Sequence, residues 1–396
     1  MRIAHIITRM ILGGAQENTL LTCEDLIRIH GDEVLLITGP ALGPEGSLLE
    51  RAKASGVPLK IVPSLRRSIH PMRDWTSYRA LKRILHDYRP DVAHTHSAKG
   101  GLLGRAAATA AGVPAVIHGV HGAPFHPYQN AVSRAFFRAC ERWAARRCHA
   151  FISVDDAMTE LMVAAGVAPR EQFTTIYSGM EVEPLVAAER HRLQTRRELG
   201  YTDEHVVIGK IARLFRLKGH DDVIDAARSV VEKHPQARFL FVGDGAWRAR
   251  LERRIDKAGL GAYFKLTGLV PSPRVPELIA AMDIVVHASL REGLARVLPQ
   301  GLIAGKPVVS YDVDGAREVV LPGRTGFLLP PRDVAALARA LDELVLDAAL
   351  RERLGAEGRR LFTQQFRHER MTQLTREVYE RVLDRSDCSL RNRRLD

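Results

Sequence analysis

The chain has 396 residues, of which 46% are hydrophobic, 26% charged and 6% aromatic. That length exceeds one ordinary core and suits two domains of under ~200 residues, and the balance excludes wholesale disorder and fibrous architecture. The net charge of +12 sits in one stretch, Arg51 to Ala150, with 17 Lys and Arg against 4 Asp and Glu, a field that favours an anionic partner such as a phosphorylated substrate, nucleic acid or an acidic membrane surface.

Residues 1–10 carry Arg2 and His5 where a secretory leader needs an apolar core. They read as a first buried strand instead, over 2–8. After Gly13-Gly14 an amphipathic helix places Leu20, Cys23, Leu26 and Ile27 on one side before Gly31 stops it. Further strands are predicted over 33–38, 58–63, 91–96, 115–118, 150–154 and 173–177, with helical patterns between them. Residues 178–200 are charged, contain Pro184 and show no strand pattern, so the hinge is placed there. The alternation restarts with strands over 206–214, 238–243, 264–267, 283–288 and 307–312. Strands alternating with helices mean parallel sheets covered on both faces. The expected fold class is therefore α/β, two doubly wound Rossmann-like domains with a cleft between the carboxyl ends of their strands. Their predicted extents are 1–180 and 181–365, followed by a helix over 366–385 and a polar tail over 386–396 expected to be disordered. No run reaches the ~18 apolar residues of a membrane span. Cys23, Cys140, Cys148 and Cys388 include no C-x-x-C pair, which points to reduced thiols in a cytoplasm.

Candidate chemistry collects where strands end. Near Ala288 a strand gives way to Glu292-Gly293-Leu294 and then a helix starting at about Ala295. Free N–H groups at a helix start attract phosphate, and Gly293 permits close approach of a ligand to the backbone. Gln300, eight residues past Glu292, can border the same ligand; the alternative is an ordinary turn with a capping glutamate. Arg213 lies at another strand end and Lys218-Gly219 opens the next helix. Two fixed cations there suit a diphosphate leaving group, unless they are merely solvated loop charges. Gly243 and Gly245 mark a third turn with room for a ligand, and Gly13-Gly14 a fourth, either an anion site or a plain glycine turn. Neither G-x-G-x-x-G with a downstream acid nor a P-loop is present. His94, His96, His118 and His121 lie near strand ends without an accompanying carboxylate or cysteine, so no metal site is expected, and at least one of them is expected to face the cleft. Asp312-Val-Asp314 is read as a helix cap.

Taken together these stretches resemble family 4 glycosyltransferases: retaining, nucleotide-sugar-dependent enzymes of the GT-B fold. The resemblance covers nearly the whole chain, from Ile11-Leu-Gly-Gly-Ala15 through Pro90-Asp-Val-Ala-His-Thr-His96, Val120-His-Gly122 and Ile176-Tyr-Ser-Gly179. It continues through Arg213…Lys218-Gly219, Val242-Gly-Asp-Gly245 and Glu292-Gly-Leu294 to Gly305-Lys-Pro-Val-Val309. It implies that Arg213 and Lys218 hold the donor diphosphate with the amides of Gly293 and Leu294. Gly14 would border a donor phosphate, Glu292 would face the transferred sugar, His121 would stand on the acceptor side, and Leu269 and Val270 would lie near the base. The family pattern is Glu, seven residues, Glu; here the second position is Gln300, which keeps hydrogen-bonding capacity for the ribose but no charge. No cofactor or metal is implied, the nucleotide sugar being a substrate.

The function expected is transfer of a sugar to a lipid-linked or polysaccharide acceptor at the cytoplasmic membrane face. The alternatives are a GT-B nucleotide-sugar epimerase, a transferase for small soluble sugars, or an inactive nucleotide-sugar-binding homologue. Nucleic acid is not an expected partner, since no recognition motif accompanies the charge. Arg134, Arg138, Arg142 and Arg146 recur every four residues and form a basic stripe suited to acidic lipid, with Phe136, Phe137 and Trp143 expected in the core. The expected location is cytoplasmic, or peripheral on the inner membrane face.

Overall fold

The computed structural model describes the backbone of residues 1–43 and 46–392, and side chains up to residue 385. Two compact units emerge: residues 1–180 with the segment from Arg367 onward, and Glu181–Phe366. In the first, strands and helices alternate as β1 (Arg2–Arg9), α1 (Gly14–Arg28), β2 (Glu33–Gly39), α2 (Leu49–Ala54), β3 (Leu59–Ile61), α3 (Pro71–Tyr88), β4 (Val92–His96), α4 (Ala98–Ala110), β5 (Ala115–Val120), α5 (Ala131–Ala145), β6 (Ala150–Ser153), α6 (Asp156–Ala164) and β7 (Phe173–Thr175). All pairs are parallel, in the order β3-β2-β1-β4-β5-β6-β7. Both faces are covered, which is why β1 is buried almost end to end.

The second unit comprises α7 (Glu183–Ala187), α8 (Arg192–Glu198), β8 (Val206–Ile211), α9 (His220–Lys233), β9 (Ala237–Val242), α10 (Arg248–Lys257), β10 (Phe264–Leu266), α11 (Val275–Ala281), β11 (Ile284–His287), α12 (Val297–Ile303), β12 (Val308–Tyr311), β13 (Gly326–Leu329), α13 (Val334–Leu346) and α14 (Ala348–Phe362). Its parallel sheet runs β10-β9-β8-β11-β12-β13. Two features depart from expectation. The edge strand β13 is a four-residue run bounded by turn residues, too short to stand out as a pattern. The charged segment 178–200 is not a bare linker: Arg196 is 2% exposed and donates to Asp283 Oδ2 at 3.1 Å and to the carbonyl oxygens of Thr202 and His205. Arg192 reaches the same aspartate and the Met282 carbonyl. The sequence placed the hinge in this charged segment, and its guanidinium groups satisfy carbonyls at the foot of the sheet.

The last helix, α15 (His368–Asn392), packs on α1 within the first unit. The expected disordered tail is thus helical as far as Asn392, because 386–392 contain no Gly or Pro to stop the helix; residues 393–396 lie outside the described residues. Buried Asp25 of α1 shares hydrogen bonds with His368 Nδ1 at 2.7 Å and Thr372 Oγ1 at 3.0 Å. Met371, Val378, Tyr379 and Val382 complete the core with Ile3, Ile7, Leu20 and Leu26.

Helix α5 is rotated relative to the sequence expectation. Its inward residues are Glu141, Ala144 and Ala145, with Glu141 paired to fully buried Arg105 of α4 at 2.8 Å. That phase turns Val132, Phe136 and Trp143 outward, 80%, 53% and 45% exposed respectively; only Phe137 of the three expected core aromatics packs against the interior. The exposed face carries an apolar strip alongside Arg142 and Arg146. Arg142 is partly engaged, donating to the Ala165 carbonyl.

Tyr379 is fully buried and its hydroxyl lies 2.6 Å from His94 Nδ1. Tyr379→Ala is expected to destabilise the first unit by about 3–5 kcal/mol through cavity formation and a lost partner. Denaturant unfolding of the full chain measures this, and a loss below about 1 kcal/mol would contradict the docking of α15 as part of that core.

Candidate functional site

In each sheet the chain reverses direction of growth once, between β1 and β4 and between β8 and β11. At such a point neighbouring loops diverge to opposite faces and leave a crevice at the carboxyl ends of the strands. The predicted site residues of the second unit lie in the loops after β8 (Arg213, Lys218), β9 (Gly243, Gly245), β10 (Leu269, Val270) and β11 (Glu292, Gly293, Leu294), with Gln300 on α12.

Close backbone approach holds these loops together. Gly219 has φ +66°, and a Cβ there would lie 1.8 Å from the Ala288 carbonyl oxygen; the Leu290 N–H donates to the Leu217 carbonyl at 2.9 Å. Gly243, at φ +130°, admits the Ala212 carbonyl where a Cβ would sit 2.3 Å away. Lys218 Nζ consequently pairs with Glu292 Oε1, and His287 Nε2 stands 3.4 Å from the same oxygen. Burial alone would raise the Glu292 carboxyl, but His287 and Lys218 outweigh it and hold the group far below the usual carboxylate range. The Glu292 N–H donates to Asp314 Oδ2 at 2.7 Å. Asp314 therefore orients this loop, and Asp312 pairs with Arg317 at 2.9 Å; neither aspartate caps a helix as the sequence implied, because Asp314 sits at φ +46° and faces back toward Glu292. Arg213 is exposed, its guanidinium 5.3 Å from the Phe215 ring. Leu269 is exposed, Val270 partly so, and Gln300 is half-buried.

Beneath this pair lies a polar group that motif reasoning passed over. Lys210 Nζ, both ring nitrogens of His220 and Ser289 Oγ are buried without a hydrogen-bond partner among the described residues. Burial, then Lys218, brings the Lys210 ammonium down to about 7, and burial brings His220 to about 2. The available signal was a lysine, Lys210, inside the otherwise apolar strand Val206–Ile211; His220, at the start of α9, gave none.

In the first unit, α1 begins at Gly14 directly after Gly13 in extended conformation, and Thr8 Oγ1 bridges Ser97 Oγ at 2.7 Å and the Gly100 N–H at 2.9 Å, binding the ends of β1 and β4 together. Register sets His5 opposite His94. His5 Nδ1 lies 3.0 Å from His96 Nε2, and His96 Nδ1 lies 3.0 Å from His121 Nε2. His118 belongs to the other side, bonded to Thr95 at 3.0 Å. His5, His94, His96 and His118 are buried, while His121 is partly exposed beyond β5. Burial lowers His5 to about 3 and His121 to about 4, and takes His94, His96 and His118 well below their ordinary value. Nitrogens of His5, His94 and His96 fall within 4.8 Å of one another, a grouping able to receive a cation; as arranged, His5 and His96 instead share a proton.

Residues 192–361 match the family model described as glycosyl transferases group 1, and residues 13–179 match that of a glycosyl transferase 4-like domain. A putative glycosyltransferase EpsD of Bacillus subtilis is 28% identical over 330 residues, 81% of this chain and 84% of that protein. The UDP-Gal:alpha-D-GlcNAc-diphosphoundecaprenol alpha-1,3-galactosyltransferase of Escherichia coli is 27% identical over 353 residues, 88% and 89% of the two chains. Among solved structures, Anabaena Alr3699/HepE in complex with UDP superposes with a TM-score of 0.81 at 21% identity, covering 96% of this chain and 100% of that one.

The neutral histidines generate a pH dependence with a defined sign. Their folded-state pKa values lie below the unfolded value of 6.5, so the unfolded chain binds more protons in acid, and the stability present above about pH 6.5 is lost as pH falls toward the folded values. His5 alone is expected to remove about 2 kcal/mol at pH 5. Melting of the full chain at pH 7.5 and pH 5.0 measures this; equal stability at the two values would refute neutral burial.

Proposed function

The chain is a glycosyltransferase of the family 4 type with the GT-B fold, and we propose that it is a retaining enzyme transferring a sugar from a nucleoside diphosphate to a lipid-linked or polysaccharide acceptor at the cytoplasmic face of a membrane. The observation that carries this reading is the Lys218–Glu292 pair at the reversal point of the second sheet, with Arg213 in the same loop as Lys218 after β8. A diphosphate gains negative charge as its bond to the sugar breaks, and fixed cations lower the barrier to that step. Lys218 exchanges Glu292 for a phosphate oxygen when the donor binds. Glu292, still held by His287 and by its backbone bond to Asp314, is then available to the sugar hydroxyls. Gln300 takes the ribose. A phosphate oxygen on the attacked face accepts the acceptor's proton, so the reaction calls for no metal.

The acceptor class is supported by the Escherichia coli relative, whose name specifies a diphosphoundecaprenol-linked acceptor. A UDP donor is supported by the UDP and UDP-glucose complexes of the structural neighbour. Among the described residues no helix is long and apolar enough to cross a membrane, so attachment would be peripheral, through the outward face of α5. There Val132, Phe136 and Trp143 are positioned to enter the lipid interface, with Arg142 and Arg146 near acidic headgroups. The replacement of the family glutamate by Gln300 favours one rival, a binding protein without turnover. Release of nucleoside diphosphate from a nucleotide sugar discriminates the two.

In that assay Arg213→Ala and Lys218→Ala are each expected to lower turnover at least ~100-fold with the fold retained. Gln300→Glu should keep donor affinity and Gln300→Leu should weaken it by ~1–3 kcal/mol. Parent-like donor turnover in both cation variants would remove the clamp. For the membrane, co-sedimentation is expected to show salt-sensitive binding to acidic vesicles that is lost on replacing Phe136 and Trp143 by serine. Equal recovery with neutral and acidic vesicles at low salt would overturn that attachment.

A further inference from the structure

The row His5–His96–His121, two buried rings and one partly exposed, contains more order than burial requires. A neutral imidazole carries one N–H and one lone pair, so two N–H···N bonds in series leave only two proton arrangements. In one, every proton points outward: His5 donates from Nδ1 to His96 Nε2, His96 donates from Nδ1 to His121 Nε2, and His121 carries its own proton on Nδ1. In the other, every proton points inward: His121 donates from Nε2, His96 donates from Nε2, and the proton of His5 is left on Nε2.

The two ends of the row are not equivalent. His121 is partly exposed, so its outer nitrogen is open to solvent, which can satisfy it in either arrangement. His5 Nε2 is buried and has no partner among the described residues. The outward arrangement leaves an unused lone pair there, the inward one a buried N–H without an acceptor, and an orphaned buried donor is the rarer and costlier of the two. The buried end therefore decides the state of the exposed end. Gly119 makes the alignment possible: a Cβ at that position would lie 2.9 Å from His96 Nδ1, 3.1 Å from His94 Nε2 and 3.2 Å from His121 Nε2. His94 stands outside the series, its Nδ1 engaged with Tyr379.

We propose that His96 and His5 are positioning residues that hold His121 in the Nδ1–H form, so that it presents a hydrogen-bond donor, and not a lone pair, to the ligand. His121 in that form donates a hydrogen bond to an acceptor atom of a ligand that reaches it and cannot act as a base there. The tautomer is a property of the first unit alone and does not depend on the proposed transfer reaction.

The test is a long-range proton–nitrogen correlation spectrum of the full chain labelled with nitrogen-15 histidine, recorded at pH 7.5, with the His121 signals identified by their loss in His121→Asn. The expected pattern is a protonated Nδ1 and a bare Nε2 on His121, favoured by at least about fivefold, together with a bare Nε2 on His5. His96→Phe is expected to release His121 into a mixture of both forms. A protonated Nε2 on His121 in the parent overturns the proposal, as does a His121 that remains purely Nδ1–H in His96→Phe. Should His96→Phe fail to fold, the parent spectrum alone decides. The spectrum is read without turnover, so an absence of transferase activity would count against the functional assignment and leave the relay standing.

Discussion

The chemistry of the second unit depends on how closely the backbone after β8 approaches the end of β11. A glycine at 219 lets the two chains meet at a distance that any side chain would forbid. The approach does more than close a gap. It delivers Lys218 to Glu292 from a different strand, and it fixes the start of α9, so one left-handed residue sets both the ion pair and the helix beside it. Loops are ordinarily more mobile than the elements they join. Here backbone bonds at Leu217 and Asp314 hold the loop carrying Glu292 to its neighbours.

The two units handle buried polarity in opposite ways. In the second, Glu292 keeps its charge because the neighbouring His287 ring and the Lys218 ammonium outweigh the penalty of burial. In the first, five histidines share a small volume and burial keeps them neutral, so they interact through protons held in place instead of charges. An ion pair responds to salt and to an arriving phosphate, whereas a row of neutral rings responds to neither and transmits orientation only. The first behaviour suits a group that must exchange partners during a reaction. The second suits one that must not.

Much of the architecture was legible because parallel strands buried on both faces leave continuous apolar runs, and Ile3–Ile7 or Val206–Ile208 could hardly be anything else. The strand-to-helix turns that carry the candidate site were legible too, since Gly219 and Gly243 occupy places where only glycine fits. What the sequence hid were long-range decisions. Nothing local distinguishes Arg196, which satisfies carbonyls under the sheet, from a solvated arginine in a linker. The outward turn of Phe136 and Trp143 follows from the Arg105–Glu141 pair, whose partners lie on different helices and cannot be matched from spacing. His5 looked like one polar residue in a strand, and its meaning depends on register with β4.

The return of α15 to the first unit has a consequence for biosynthesis. Tyr379 supplies the partner of His94, and His368 and Thr372 supply partners of Asp25, yet the whole of the second unit is translated between them. Domains commonly fold in the order in which they leave the ribosome. Here residues 1–180 are made before the second unit but lack part of their core until the segment after Phe366 has followed, so the second unit, contiguous from Glu181 to Phe366, is the one able to mature first. The nascent first unit must wait with the groove on α1 uncovered, and a stalled or truncated chain would expose that apolar surface to chaperones and proteases.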